Sequence, residues 1–218
     1  NQEGGGIKAQ NSVKISNIVV SENYSENGAG IYLSNGNPII NNVHIINNNA
    51  EDNGGGIQLQ NCSPLFESVI IENNIATQEG GGILSRNSSS VFENVIIKNN
   101  KTNDFGGGAC FFESSAEFYN SLILNNESST GGISLYDGSS LIMLNSNVIG
   151  NVSTQDDEGG GVHLYDDSNV NITSTIIRNN FPFEINFKDD GNSISVDYSN
   201  VLGGESGIEV HEDYPNQE

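Results

Sequence analysis

The chain has 218 residues, with 28 Asp and Glu against 7 Lys and Arg, 26 Gly, no Trp and a formal net charge of -21. That charge repels phosphate backbones, whose binding needs basic residues to displace counterions, and so excludes nucleic acid as a partner. No run of about 18 apolar residues occurs, which excludes a membrane-spanning helix; anionic membranes and polysaccharides are disfavoured unless a metal ion bridges the charges.

In chain order, Asn1–Glu3 lead into Gly-Gly-Gly-Ile at Gly4–Ile7. The motif recurs at Gly54–Ile57 and Gly80–Ile83, with variants at Gly28–Ile31, Gly106–Ala109, Gly131–Ile133 and Gly159–Val162. Its closing residues (Ile7, Ile31, Ile57, Ile83, Ala109, Ile133, Val162) lie 24, 26, 26, 26, 24 and 29 residues apart. A period of this length marks a unit that cannot bury its apolar face alone. Within the unit from Gly80 to Asp104, Ile83–Arg86, Val91–Glu93 and Val95–Ile97 are short β-branched segments broken by Asn87, Asn94, Asn99 and Asn100. Such segments read as strands with tight corners. Every stretch of ten residues meets a Gly, Asn or Ser cluster, which excludes helices. Three strands per unit, stacked in register, predict an all-β fold: a parallel β-helix, or solenoid, of about eight coils.

Alignment of the units predicts three inward columns. One holds Ile15, Ile40, Phe66, Phe92, Phe118, Leu144 and Ile172; a second holds Val20, Ile45, Ile71, Ile97, Ile123, Ile149 and Ile177. The third holds Ala9, Leu33, Leu59, Phe111, Leu135 and Leu164, interrupted by Ser85. An eighth coil continues through Ile185, Phe187, Ile194 and Val196, giving one domain over residues 1–204 and an acidic irregular tail or cap over 205–218. Asn11, Asn35, Asn61, Asn87, Glu113, Asp137 and Asp166 form one corner column, and Asn47, Asn73, Asn99, Asn125, Asn151 and Asn179 another. Stacked amides there can hydrogen-bond from layer to layer. Cys62 and Cys110 lie two layers apart, about 9.6 Å, which is beyond disulfide reach, so both are expected free.

Gly-Gly-Gly-Ile preceded by Ile-x-Asn-Asn-x-Ala (Ile45–Ala50, Ile71–Ala76) resembles the GGA[ILV] and FxxN repeats of chlamydial polymorphic outer-membrane proteins, with Ile or Leu in place of the Phe. More broadly the chain resembles the right-handed parallel β-helix superfamily of pectate lyases and autotransporter passenger domains. Tyr198–Gly204 is similar to a late segment of secreted bacterial β-helix proteins. The resemblance implies a right-handed coil and a secreted or cell-surface location. A lyase-like member would, by resemblance, need calcium held by carboxylates and a basic residue as proton-abstracting base. On the strand after the glycines, Arg86 and Lys8 are the only Arg and Lys, about three layers apart and without paired carboxylates. An acid and a base must reach one proton; none assembles here, so the chain is expected not to be an enzyme.

Two sets of outward residues are candidates for binding. Phe112, Tyr136 and Tyr165 share one outward position in three successive coils, with His163 and the acids Glu113, Asp137 and Asp166 beside them. Aromatic faces next to carboxylates suit sugar rings; the same residues would equally serve as a stiffening ladder. Glu113, Asp137 and Asp166 could offer oxygen ligands to Ca2+, although no EF-hand or calcium nonapeptide is present. The second set is an apolar stripe on the third strand, Val19, Ile70, Ile96, Leu122, Val148 and Ile176, interrupted by His44. A stripe that long exceeds what monomers expose and predicts contact with another chain or a covering segment. The first coil presents an open edge, and Asn-Gln-Glu stands at both termini, so further protein ahead of residue 1 or head-to-tail docking is expected. The sequence thus reads as a structural or adhesive rod that self-associates or meets neighbouring surface proteins, with a carbohydrate-binding or lyase-like module as the alternative.

Overall fold

The computed structural model describes residues 3–210. The chain winds as a solenoid in which nearly all pairing is parallel and between successive coils. One sheet stacks nine strands in chain order: Ile7–Gln10, Ile31–Ser34, Ile57–Gln60, Ile83–Arg86, Ala109–Phe112, Ile133–Tyr136, Gly159–Leu164, Phe183–Phe187 and Ile208–Val210. The closing residues of the glycine motifs are direct partners throughout, from Ile7↔Ile31 to Ile133↔Val162. A second sheet of fourteen strands carries the other two sides of each coil. In the first two coils Lys14–Ser21 and Ile39–Ile46 run round the corner unbroken; later coils split there, as in Ser89–Glu93 and Ile96–Lys98. Small sheets of two and three strands lie ahead of the glycines.

The core is a stack of like residues. Phe66, Phe92 and Phe118 are fully buried, with ring centroids 4.8 and 4.4 Å apart and planes within 10°. The third predicted column is observed in full: Ala9, Leu33, Leu59, Ser85, Phe111, Leu135 and Leu164 pair in succession and continue into Phe187 and Val210. The other two columns need correction in one coil. Met143, not Leu144, pairs with Phe118 and Ile172, and Val148, not Ile149, pairs with Ile123 and Ile177. Ala109↔Ile133 spans 24 residues, and Gly138 at the next corner raises the spacing to 25 rather than 26. A slip of one residue exchanges the two faces of a strand. The eighth coil is present, and the sheet does not stop at residue 204: Ile208–Val210 pairs with Ile185–Phe187 after a short 3-10 turn over Gly204–Gly207. Residues 205–210 of the expected tail or cap are thus a turn and a paired strand; residues 211–218 and Asn1–Gln2, and with them the matching termini, lie outside the described residues.

Most corners are a two-residue device, with a third residue added at Gly138 and Asp167. The first residue takes the left-handed conformation: Asn11, Asn35, Asn61, Asn87, Glu113, Asp137 and Asp166 have φ between 47° and 66°. Asn and Asp tolerate this region because their short side chains bond locally. The second residue turns inward and bonds across coils. At the corner ahead of the glycines this makes an amide ladder, buried from its second member on: Asn23, Asn48, Asn74, Asn100, Asn126, Asn151 and Asn180. Each Nδ2 donates to the next Oδ1 at 2.9–3.1 Å, and the same Oδ1 accepts the preceding Asn N–H at 2.9–3.0 Å. The ladder is one residue away from the predicted column: Asn47, Asn73, Asn99, Asn125 and Asn179 are the left-handed residues, and Asn151 belongs to the ladder behind Gly150. Hydroxyls do the same elsewhere, through Ser88, Ser114 and Ser139 at one corner and Ser121, Ser146, Thr175 and Ser199 at another. Glu184, buried at 4% exposure, ends the amide ladder by accepting from both N and Nδ2 of Asn180.

The glycines let the coils approach. A Cβ on Gly56 would stand 2.5 Å from the carbonyl oxygen of Gly82, and on Gly80 (φ 64°) 2.4 Å from that of Ile83. No substitution fits at either without moving backbone.

Candidate functional site

The outward face of the nine-stranded sheet is covered, contrary to expectation. Leu84, Cys110, Ser134 and His163 point away from the core yet are at most 2% exposed. The loops ahead of the glycines arch over them. Phe105 and Phe112 pack against Leu84, Cys110 and Tyr136, and Thr130 Oγ1 lies 2.6 Å from Ser134 Oγ. A small second core thus lies outside the coil.

Phe112, Tyr136 and Tyr165 are brought together as predicted, but as packing. The Phe112 and Tyr136 rings are stacked with centroids 4.9 Å apart, Tyr165 tilts against Tyr136 at 5.8 Å, and Phe105 covers Tyr136 at 5.0 Å. Only Tyr165 is exposed; Tyr136 is buried, and burial pushes its phenol pKa far above the ordinary value. The Arg86 guanidinium lies 4.3 Å from the Phe112 centroid, a cation–π contact, while also pairing with Glu79.

His163 is buried beneath this stack, 5.9 Å from the Tyr136 ring, so it offers no surface for a ligand. Above it stands the insertion that makes this coil the longest. Glu158 Oε2 is 3.2 Å from His163 Nδ1, and Lys188 Nζ reaches Glu158 at 2.8 Å and Asp157 at 3.3 Å. Burial pushes the His163 pKa down to about 4, with the Asn186 side chain opposing and the Lys188 charge adding to the fall. The His163 imidazole is neutral and lies under the insertion without hydrogen-bond geometry to Glu158, so the insertion is held by the ion pairs of Lys188 with Glu158 and Asp157. Lys188, Glu158 and Asp157 escaped prediction as a group. The signal was the 29-residue spacing together with Lys188, 23 positions beyond Tyr165 in a strongly acidic stretch.

The proposed calcium ligands do not converge. Glu113, Asp137 and Asp166 are exposed left-handed corner residues, and among the described residues no three His, Cys, Asp or Glu side chains group to hold a metal ion. Asp166 is instead crowded: partial burial, then the charges of Asp189 and Asp137, raise its pKa. Both cysteines are free and buried. Of the stripe, Val19, Ile70, Ile96, Leu122 and Ile176 do point outward, but Val148 is fully buried and Asn147 takes its place. His44, which interrupts the stripe, lies 2.8 Å from Glu72, which also binds Lys98 at 2.7 Å. Among the described residues no helix is long and apolar enough to cross a membrane.

Comparison with known families gives a match to the right-handed β-helix region over residues 40–212. Among curated proteins, none matches the chain. The match covers most of the chain and agrees with parallel coils stacked in register, so the chain belongs to the right-handed β-helix family.

Proposed function

We infer that the chain is a stiff, non-catalytic rod segment of a secreted or cell-surface protein, acting as a spacer or adhesive support. The observation that carries this reading is that chemistry-bearing side chains are spent on holding coils together. The Asn, Ser and Thr columns bond coil to coil, and Lys188 fastens the long insertion through Glu158 and Asp157. A solenoid with nearest-neighbour contacts extends without a separate core. Pulling single molecules from their ends should release the chain one coil at a time, in steps of roughly 26 residues at sustained force. Collapse in a single step at low force would reject the rod.

The second reading, glycan binding on the late coils, rests on the exposed Tyr165 at the end of the aromatic stack beside Asp166. A glycan array in which binding disappears with Tyr165→Ala would favour it; no binding to any glycan would dismiss it.

A further inference from the structure

The two outward columns of the third side form a face unlike the rest of the molecule. From the first coil to the eighth they read Val19 and Ser21, His44 and Ile46, Ile70 and Glu72, Ile96 and Lys98, Leu122 and Leu124, Asn147 and Ile149, Ile176 and Arg178, then Asn200 and Leu202. Glu72 is the single acid there, whereas the chain carries 28. Val19, Ile176 and Leu202 are 64%, 41% and 44% exposed, and a shallow groove of about 270 Å3 opens between Ile18, Val19, His44 and Ile70. The adjoining side of the coil carries Glu67, Glu93, Glu117 and Asp197 at its outward positions. On the third side two copies can approach with apolar side chains and a small positive excess.

We propose that this face docks on the same face of a second copy, with the two rods antiparallel. Orientation follows from charge. Residues 1–109 carry 10 acidic and 5 basic side chains, whereas residues 110–218 carry 18 and 2. Parallel rods would set the acidic halves side by side; antiparallel rods set each beside the milder half. A twofold axis along the strand of the fifth coil places Leu122 and Leu124 against their own counterparts. It also sets Ile70 opposite Ile176, Ile46 opposite Leu202, and Glu72 opposite Arg178, whose side chain makes no ion pair among the described residues. Such a twofold contact is self-complementary and closes.

Eight strands at about 4.8 Å span about 38 Å and three residues of strand about 10 Å, so docking removes on the order of 800 Å2 in total. That is the scale of weak association, effective where copies are crowded on a surface. The proposal names a partner for the rod, and because stiffness is measured on single molecules, each reading can fail without the other.

Sedimentation equilibrium up to about 1 mM protein, in moderate salt to screen the acids, should show a monomer–dimer equilibrium, weakened about tenfold by Arg178→Glu. Leu122→Cys should cross-link to itself through a short bifunctional maleimide, and Ile70→Cys should cross-link to Ile176→Cys in a mixture; the native cysteines are buried. A monomer throughout would overturn the contact. Preferential Ile70→Cys homodimers would overturn the orientation.

Discussion

Asn99 and Asn100 are identical neighbours with opposite roles. Asn99 is exposed at φ 55°; Asn100 is 1% exposed, and its amide donates to Asn126 Oδ1 and the Ile71 carbonyl while accepting from Asn74. Asn99→Ala should cost about 1–2 kcal/mol, the strain of a left-handed alanine. Asn100→Ala should cost about 3 kcal/mol or more, because it leaves buried donors and a carbonyl unmatched; urea denaturation of the two variants tests the ranking. The sequence announces that a corner is present, but two adjacent Asn residues do not say which of them turns inward. His163 gives a pH signature at the same scale. Its folded pKa of about 4 lies below the ordinary 6.5, so between those values the unfolded chain binds a proton that the folded chain refuses. Stability should therefore fall as pH drops from about 6.5 to about 4, by up to about 3 kcal/mol from this group. His163→Gln should flatten that part of the melting profile; an unchanged slope would contradict the assignment.

Strands and turns were legible from the glycine ruler because every coil needs backbone contact at the same place. Gly56→Ala forces a methyl against the Gly82 carbonyl and within 3.1 Å of Asn74 Nδ2. It should cost about 3 kcal/mol or more by thermal or urea unfolding. Register in the sixth coil was not legible, since a shorter loop and the added Gly138 offset each other at separate corners. Leu144, Val148 and Ile149 were all misplaced by that single step. The covering insertion was hidden for a different reason. Sequence periodicity reports which residues face the core, but not that a loop returns to cover the opposite face, so Tyr136 and His163 read as surface residues. The aromatic column itself was visible, because pairing in register carries one side-chain type from coil to coil.

At the scale of the molecule, stability is a sum over coils and their interfaces, and charge is unevenly spread along that sum. The acids of residues 110–218 repel one another with few cations to screen them. Amide exchange should therefore be faster in the late coils than in the early ones at low ionic strength, and added salt should slow it most in the late coils. Equal protection along the rod, insensitive to salt, would contradict this.

The amide ladder has one more consequence. Seven carboxamides, six of them buried, line up nose to tail, each N–H pointing toward the C-terminal coil. Their dipoles add as peptide dipoles do in a helix, leaving a negative pole at Asn23 and a positive pole at Asn180. Reversing one amide would set oxygen against oxygen on one side and hydrogen against hydrogen on the other, so the sense is shared by all seven or lost. The Glu184 carboxylate sits at the positive pole. The interior of this uncharged-looking core is thus a polarised thread with a built-in direction, and the buried acid is its counter-electrode.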